Sequence, residues 1–409
     1  MKNNSASQPA PGQFFQVLED GRYAFWFDAS TISTFSDCNQ RFYLKNVQFA
    51  PQQLRRKGPT HVVMTIGSWW SRVSELFYTS IAAGNSPTKL DMLKIAAEAW
   101  VEGDLDSMEK ADPKKYEAFA IPIRAGEFGK YFPEVPSLFE ELYSHKAAKL
   151  REVAHEFRAT ADINHPQTQS VIDRLDAEAR QLESRTALPT GPLLMAAQYY
   201  TTFAELDQRS WKVIAAEAPF GRHGEVMLGE TDKVVVYWQG KPDLVIWEEI
   251  TGVLAPLDQK TKDHIPYNVN EIWKPHNQLA GYIYSVGVIA NDLGFSNINV
   301  DRCIVSVCAR LRSADPKKGA APKPRFVRVR PHYSQDEIEE WRSGMVRKAE
   351  RLRYAIESQD WQRNEQSCHV YGGCEFRGIC SRPQGVRELM VKSDYELVEP
   401  WTPFEGEED

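Results

Sequence analysis

Three consecutive residues, Asp258-Gln259-Lys260, set a carboxylate and an ammonium two positions apart in a run of strand-forming residues. Side chains alternate across a strand, so Asp258 and Lys260 share one face while Gln259 takes the other. The same stretch, Gly240 to Thr261, holds Pro242-Asp243 ahead of an apolar arm of Leu244, Val245, Ile246 and Trp247. Thr251-Gly252 supplies a turn, and Val253, Leu254 and Leu257 form the returning arm. With Asp243 brought beside Asp258, two carboxylates can hold a hard cation next to a lysine, which suits metal-assisted phosphodiester hydrolysis.

An Asp-x-Lys triplet alone is common on solvated strands. Its company gives it weight. Glu217 lies on a preceding strand-like run, and Gln278 and Tyr282 follow on a helix, one turn apart and so on one face. Asp232 rivals Asp243 for the first carboxylate; Asp243 is preferred because its strand pairs with that of Asp258 through the hairpin.

Six cysteines are present, and Cys368, Cys374 and Cys380 fall in a C-x5-C-x5-C run with Gly372, Gly373 and Gly378 between them. Glycines let a backbone turn tightly around a small object, and three close thiols suit metal or iron-sulfur ligation better than a core. Such sites usually take four ligands. Cys38 is the candidate fourth and His369 the fallback, and thiolates alone leave zinc and a cluster both open. Cys303 and Cys308, in an apolar run, read as small buried hydrophobes.

The elements that must position these groups follow in order. Residues 1–12 read as a loose tail, and 13–85 as the first part of the main domain. A helix from Ala29, with Ser and Thr as caps, puts Phe35, Cys38 and Phe42 on one face. A second helix follows Gly67 and carries Glu75, whose ordinary fate is surface charge. Residues 86–206 form a series of amphipathic patterns, read as a helical insertion or cap. From Trp211, β-branched and aromatic runs form a meander feeding the sheet, and residues 207–310 hold the core. Pro275 opens the helix of Gln278 and Tyr282. Residues 311–332 form a basic loop. Residues 333–384 comprise a helix with a capping box at Ser334 and Glu337, then the cysteines. Residues 385–409 read as an acidic, flexible tail.

At 409 residues the chain can bury a large core. Its net charge of -7 argues against a broadly basic nucleic-acid coat. A local track remains: Arg310 to Arg330 holds eight Lys or Arg against the single Asp315. That segment reads as a solvated linker or hairpin loop, or as a phosphate-contacting loop. Without a run of eighteen apolar residues or a signal-peptide pattern at the start, the expectation is a soluble, cytoplasmic protein with no membrane span.

In four places the chain resembles the PD-(D/E)XK nuclease superfamily, in its RecB-like and phage-exonuclease branch. These are SxFxxCxxRFY at Ser33 to Tyr43, the GKPDLV to LDQKT core, the Q-x3-Y helix, and the terminal cysteine trio. The resemblance implies an α/β, restriction-endonuclease-like fold: a mixed central sheet flanked by helices, with the helical insertion and the C-terminal cysteine cluster added. It implies Asp243 and Asp258 as ligands for Mg2+ or Mn2+, Glu217 as an upstream acid, and the Gln259 carbonyl as a further metal contact. Lys260 then positions or polarises the attacking water and steadies phosphate charge, with Gln278 and Tyr282 as the accessory motif. Cys38, Cys368, Cys374 and Cys380 correspond to a 4Fe-4S site, although the family's first cysteine gap is shorter. A helix histidine frequent in the family corresponds to Ser71.

The implied function is a metal-dependent deoxyribonuclease, an exonuclease acting on DNA ends or single strands in recombination, repair or phage DNA processing, with a helicase or recombination protein as partner. The alternative is a weak or inactive nuclease-fold module that binds nucleic acid or a partner protein. A zinc-stapled structural protein is a third reading.

Overall fold

The computed structural model describes residues 14–57, 62–103, 105, 129–130, 132–161, 165–185, 189–221, 225–309, 325–369 and 373–400. The loose tail expected over 1–12, most of the basic segment (310–324), Gly372 and the acidic end (401–409) lie outside them.

The chain opens with β1 (Phe15–Val17) and β2 (Tyr23–Phe27), then α1 (Ala29–Asp37) and α2 (Asn39–Phe42). Asp28 caps α1, its carboxylate accepting the Thr31 N–H at 2.8 Å, in place of the serine or threonine expected. Helix does not run through Cys38. That residue is extended (φ -164°, ψ 115°) at the joint of α1 and α2, so its thiol leaves the Phe35–Phe42 stripe on which the periodicity placed it. Next come β3 (Gln53–Arg56), α3 (Val62–Ala82), α4 (Lys89–Glu102), α5 (Val135–Thr160), α6 (Pro166–Glu183), α7 (Thr190–Tyr199) and α8 (Glu205–Ser210).

Strands then follow: β4 (Trp211–Ala216), β5 (Met227–Glu230), β6 (Val234–Trp238), β7 (Leu244–Glu248) and β8 (Val253–Lys262). The remainder is α9 (Asn277–Ile289), β9 (Ile304–Ala309), β10 (Arg325–Val329), α10 (Gln335–Ser358), α11 (Arg377–Cys380), α12 (Gln384–Asp394) and β11 (Tyr395–Val398). The expected β7–β8 hairpin is present, with Leu244 opposite Leu257.

Among the described residues the strands form a mixed sheet in the order β10-β9-β8-β7-β4, a second sheet β1-β2-β6-β5, and the pair β11-β3. In the first, β8 and β9 are parallel and the other neighbours antiparallel. The expected single meander is therefore split. β4 and β7 are partners, while the intervening β5–β6 hairpin leaves for the second sheet, where β6 runs parallel to β2. A strand beginning so near the N-terminus can claim β6 only through long-range pairing, which local pattern does not encode.

Side-chain alternation gives the mixed sheet two faces. Leu244, Ile246, Ala255 and Leu257 pack with Trp69, Trp70, Phe77, Trp100 and Tyr199 of the helical layer. Val245 and Leu254 pack with Leu279, Ile283 and Val286 of α9 on the other face. The region expected as an insertion or cap thus belongs to the core: α4 and α7 share one hydrophobic cluster with the sheet. Close approach of α9 requires Gly281, where an added Cβ would lie 2.3 Å from the Trp238 indole. The capping box at the start of α10 is present, with both Ser334–Glu337 hydrogen bonds made.

Two boundaries are corrected. Residues 325–329 of the basic segment form an edge strand, β10, rather than loop. Residues 385–398 of the expected tail are ordered, within α12 and β11; β11 pairs with β3, and Tyr395 stacks on Phe376. The chain looked polar there because α12 buries none of its residues fully, so its order comes from the strand pairing that follows. No described helix is long and apolar enough to cross a membrane.

Candidate active site

Every side chain named for catalysis lines one cleft of about 430 Å3: Glu217, Asp243, Asp258, Lys260, Gln278 and Tyr282. The hairpin does the central work. Asp243 immediately precedes β7 and faces β8, where the Gln259 backbone N–H donates to its Oδ2. Asp258 and Lys260 lie side by side on the α9 face of β8, with Lys260 Nζ 3.0 Å from Asp258 Oδ1 and 2.8 Å from Oδ2.

Glu217 sits one residue beyond β4 rather than on it. A bulge at Val213–Ala215 and a left-handed backbone at Glu217 itself (φ 50°) turn the chain there. Its N–H is held by the Asp243 carbonyl at 2.9 Å. A non-glycine residue in that region is strained and persists only when its surroundings hold it. Here the strain aims a carboxylate into the cleft.

The electrostatics follow from crowding. Burial pushes the Asp243 carboxyl well above its usual range, and the charges of Asp258 and Glu217 push it further. Burial opposes the Lys260 charge, but Asp258 and Asp243 outweigh it and hold the ammonium above its ordinary value. Lys260 is therefore protonated at neutral pH, which makes it a charge and a donor rather than a base. Burial, with Asp258 and Asp243 nearby, likewise keeps the Tyr282 phenol neutral.

Gln278 and Tyr282 act as one brace. Gln278 Nε2 reaches Asp258 Oδ1 at 3.3 Å and the Tyr282 hydroxyl at 3.0 Å, and that hydroxyl donates to the Lys241 carbonyl at 2.9 Å. Their helix begins at Asn277, two residues later than Pro275 suggested, because His276 takes the cap position. Gln259 points its side chain away from the cleft: Nε2 donates to Ser74 Oγ (3.1 Å) and the Tyr199 hydroxyl (3.0 Å). Only its backbone borders the carboxylates. The rival Asp232 lies in an exposed turn between β5 and β6, in the other sheet.

Sequence reasoning missed Lys241 and Arg72. Lys241 Nζ pairs with Glu217 at 2.9 Å, and Arg72 pairs with Glu75 at 2.9 Å on the cleft wall. The signal for Lys241 was available, since it is adjacent to Pro242-Asp243. Arg72 comes from α3, four residues after Ser68, and only tertiary packing brings that helix to the site. Ser71 on the same helix lies 3.2 Å from Asp243 Oδ1 and 3.3 Å from Glu217 Oε1.

Divalent-cation chemistry fits this donor set. Asp243, Asp258 and Glu217 all line the cleft, and Asp258 Oδ2 is buried with the Lys260 ammonium as its charge partner at 2.8 Å. Among the described residues no group of three His, Cys, Asp or Glu side chains stands close enough together to hold a metal ion.

Cys38, Cys368, Cys374 and Cys380 lie in one neighbourhood, away from the cleft, without forming a metal-ligand group. Asn364 N–H donates to Cys38 Sγ at 3.4 Å, and Ser367 Oγ and Asn364 Nδ2 both reach the Asp37 carbonyl at 2.8 Å, stitching α1 to the C-terminal segment. The left-handed Gly373 (φ 103°) turns the chain back, so that Cys374 N–H reaches the Cys368 carbonyl at 3.1 Å. Burial raises the Cys380 thiol, and so do the neighbouring Cys374, Cys38 and Cys368. Cys303 and Cys308 are buried in the core, while His369 is exposed.

Arg328 and Arg330, from the end of the basic segment, are committed to ion pairs with Asp207 (2.5 Å) and Glu248 (2.6 Å). Arg328 is buried in its pair, while Arg330 stays partly exposed. A family model described as the PD-(D/E)XK nuclease superfamily matches residues 138–381. That span takes in the hairpin, α9 and the cysteine trio, and leaves Cys38 and Ser71 before its start. No curated protein matches the chain.

Proposed function

From the membership of this chain in the PD-(D/E)XK nuclease superfamily, we propose that it is a Mg2+- or Mn2+-dependent deoxyribonuclease of the RecB-like branch, an exonuclease acting on DNA ends or single strands. The observation that carries this reading is the convergence of Asp243, Asp258 and Glu217 on one cleft with the protonated Lys260 beside them.

Asp243, Asp258 and Glu217 are the residues to hold the cation, with the backbone at Gln259 alongside. When bound, it supplies positive charge for the phosphate and acidifies water. The chain's own groups do the rest. Lys260 offers its ammonium to the charge that builds on the phosphate as water attacks. Gln278 fixes Asp258, and the Tyr282–Lys241 bond fixes the loop carrying Asp243. Lys241 offsets the Glu217 charge.

The four thiols are read as ligands of a 4Fe-4S cluster, with zinc as the other occupant their chemistry allows. A helicase or recombination protein that delivers opened ends is the partner such an activity implies, in recombination, repair or phage DNA processing.

End-labelled single- and double-stranded DNA, incubated with and without Mg2+, tests the proposal. Asp258→Ala should abolish cutting, and Lys260→Ala should reduce it by about 10²–10³-fold, the scale of losing one electrostatic stabiliser. Full activity in both variants overturns the assignment. One observation favours a second reading, a weak or inactive nuclease-fold module: Ser71 brings no nitrogen ligand to Asp243 and Glu217. Binding of DNA without metal-dependent product supports that reading.

A further inference from the structure

The Gln259 side chain begins a polar chain that runs away from the cleft through the core. It is a buried amide, and burying an amide is unfavourable unless it is hydrogen-bonded. Both N–H bonds of its Nε2 are used, on Ser74 Oγ and on the Tyr199 hydroxyl. The Tyr199 oxygen also accepts from Arg328 Nη2 at 3.1 Å and lies 3.1 Å from the Tyr78 hydroxyl. Tyr78 in turn donates to Asp207 Oδ2, and Arg328 binds Asp207 through Nη1 (2.5 Å) and Nη2 (2.6 Å).

With the Gln259 amide nitrogen toward Tyr199, counting protons gives a direction to each bond. A phenol oxygen has two lone pairs and one proton, whereas an amide nitrogen and a guanidinium only donate. Gln259 and Arg328 therefore fill both lone pairs of Tyr199, whose own proton must go to Tyr78. The Tyr78 proton then goes to Asp207. The chain ends on an ion pair whose side chains are 10% and 3% exposed, with the guanidinium 4.0 Å over the Phe203 ring and 4.4 Å over Trp211.

A buried ion pair is weak evidence for stability, since apolar residues of the same volume often serve as well. Gln259 Oε1 and Arg328 Nε have no partner, so the network is not saturated, but the bonds it does make restrict geometry. Its free end is the site itself, because the Gln259 N–H donates to Asp243.

We propose that Tyr199, held in place by Tyr78, Asp207 and Arg328, is a positioning residue for the carboxylate site: by fixing the Gln259 amide it fixes the β8 peptide that orients Asp243 between Asp258 and Lys260. The proposal rests on reading Asp243 and Asp258 as metal ligands. It gives a role to α7 and to the strand that ends the basic segment, neither of which lines the cleft.

The test uses full-length protein and Mn2+ alone, with free Mn2+ followed by electron paramagnetic resonance and folding followed by thermal melting. Tyr199→Phe removes the shared acceptor while keeping the ring, and should weaken Mn2+ binding by about tenfold or more, the scale of losing a residue that orients a ligand. Ser74→Ala, which removes the other acceptor and no ring, should weaken it in the same direction and serves where Tyr199→Phe does not fold. Trp69→Phe is the control, because it removes a buried hydrogen bond to the Ala96 carbonyl in the same core without touching the chain. It should lower the melting temperature and leave Mn2+ binding unchanged.

Wild-type Mn2+ affinity in both Tyr199→Phe and Ser74→Ala overturns the proposal and leaves the network a structural one. Wild-type protein that binds Mn2+ through Asp243 yet cuts no DNA defeats the nuclease reading, while a tenfold loss in Tyr199→Phe still supports the positioning role. Binding that is absent from the wild type, or unaltered by Asp243→Asn, overturns both.

Discussion

The Ser71 hydroxyl lies 3.2 Å from Asp243 Oδ1, and its single proton also has Glu217 Oε1 within 3.3 Å. It stands where two half-buried carboxylates approach each other, so it acts as a neutral spacer between them. Replacing it with an imidazole adds a nitrogen donor to an all-oxygen set, and nitrogen favours Mn2+ over Mg2+. Ser71→His is expected to lower the Mn2+ concentration for half-maximal cutting by roughly tenfold, about 1.4 kcal/mol, with a smaller gain for Mg2+. Parallel titrations of the two metals check this, and an equal or absent gain counts against the geometry.

Asp243 carries an unfavourable charge. Burial first, then Asp258 and Glu217, raise its folded-state pKa, so the native state takes up its proton more readily than the unfolded chain does. Ionised Asp243 therefore lowers stability as pH rises above its ordinary range. Asp243→Asn should melt at a higher temperature than wild type at neutral pH in EDTA, while losing DNA cutting. Added Mg2+ should raise the melting temperature of wild type only, by mass action. An EDTA melting temperature at or below that of wild type contradicts the crowding argument.

Cys380 faces the other three thiols, and Phe376 and Ile379 beside it are buried in the small core shared with Leu44, Leu54 and Tyr395. Anaerobically purified wild type should be brown with broad visible absorption, and Cys380→Ser should lose most of that absorption and melt earlier. Colourless protein with stoichiometric zinc selects zinc, and absence of both metals rejects the ligand set.

The start of α10 gives a pH-dependent test of folding alone. Lys274 and the Ser334 N–H hold the exposed Glu337 carboxylate down to about 2, below its ordinary 4.5. A depressed carboxylate contributes stability above its unfolded pKa and loses it as pH falls through the folded one, here between about 4.5 and 2. Ser334→Ala should lower stability by about 1 kcal/mol at pH 7. The gap in urea midpoint between wild type and Glu337→Gln should be present near neutrality and close at the acid end of that window. A gap that persists there shows that the ionised carboxylate is not what matters.

The arrangement of the candidate site was legible in the chain where it is local. The β7–β8 hairpin is encoded by turn residues and period-two alternation, and that alternation alone puts Asp258 and Lys260 on one face with Gln259 opposite. The Gln278–Tyr282 pair follows from helical spacing in the same way, and the capping box of α10 from residue types three apart. The expectation of a metal or cluster at Cys368, Cys374 and Cys380 rests on their closeness in sequence alone.

Tertiary structure decided what depends on contacts between distant segments. Periodicity carried Cys38 along a helix, but the joint between α1 and α2 and its bonds to Asn364 and Asp37 turn the thiol toward the C-terminal cysteines. The separation of β5–β6 from β4 and β7 depends on pairing with β2, some two hundred residues earlier, and the order of the last segment depends on β3. Ser71, Arg72 and Tyr199 carry no motif, and they acquire their relation to Asp243 only when helices pack on the sheet. A sequence specifies alternation and turns through neighbouring residues, whereas the partner of a buried hydrogen bond is chosen by global packing. Asp258 and Lys260 were therefore readable in the chain, and the chain of bonds behind Gln259 was not.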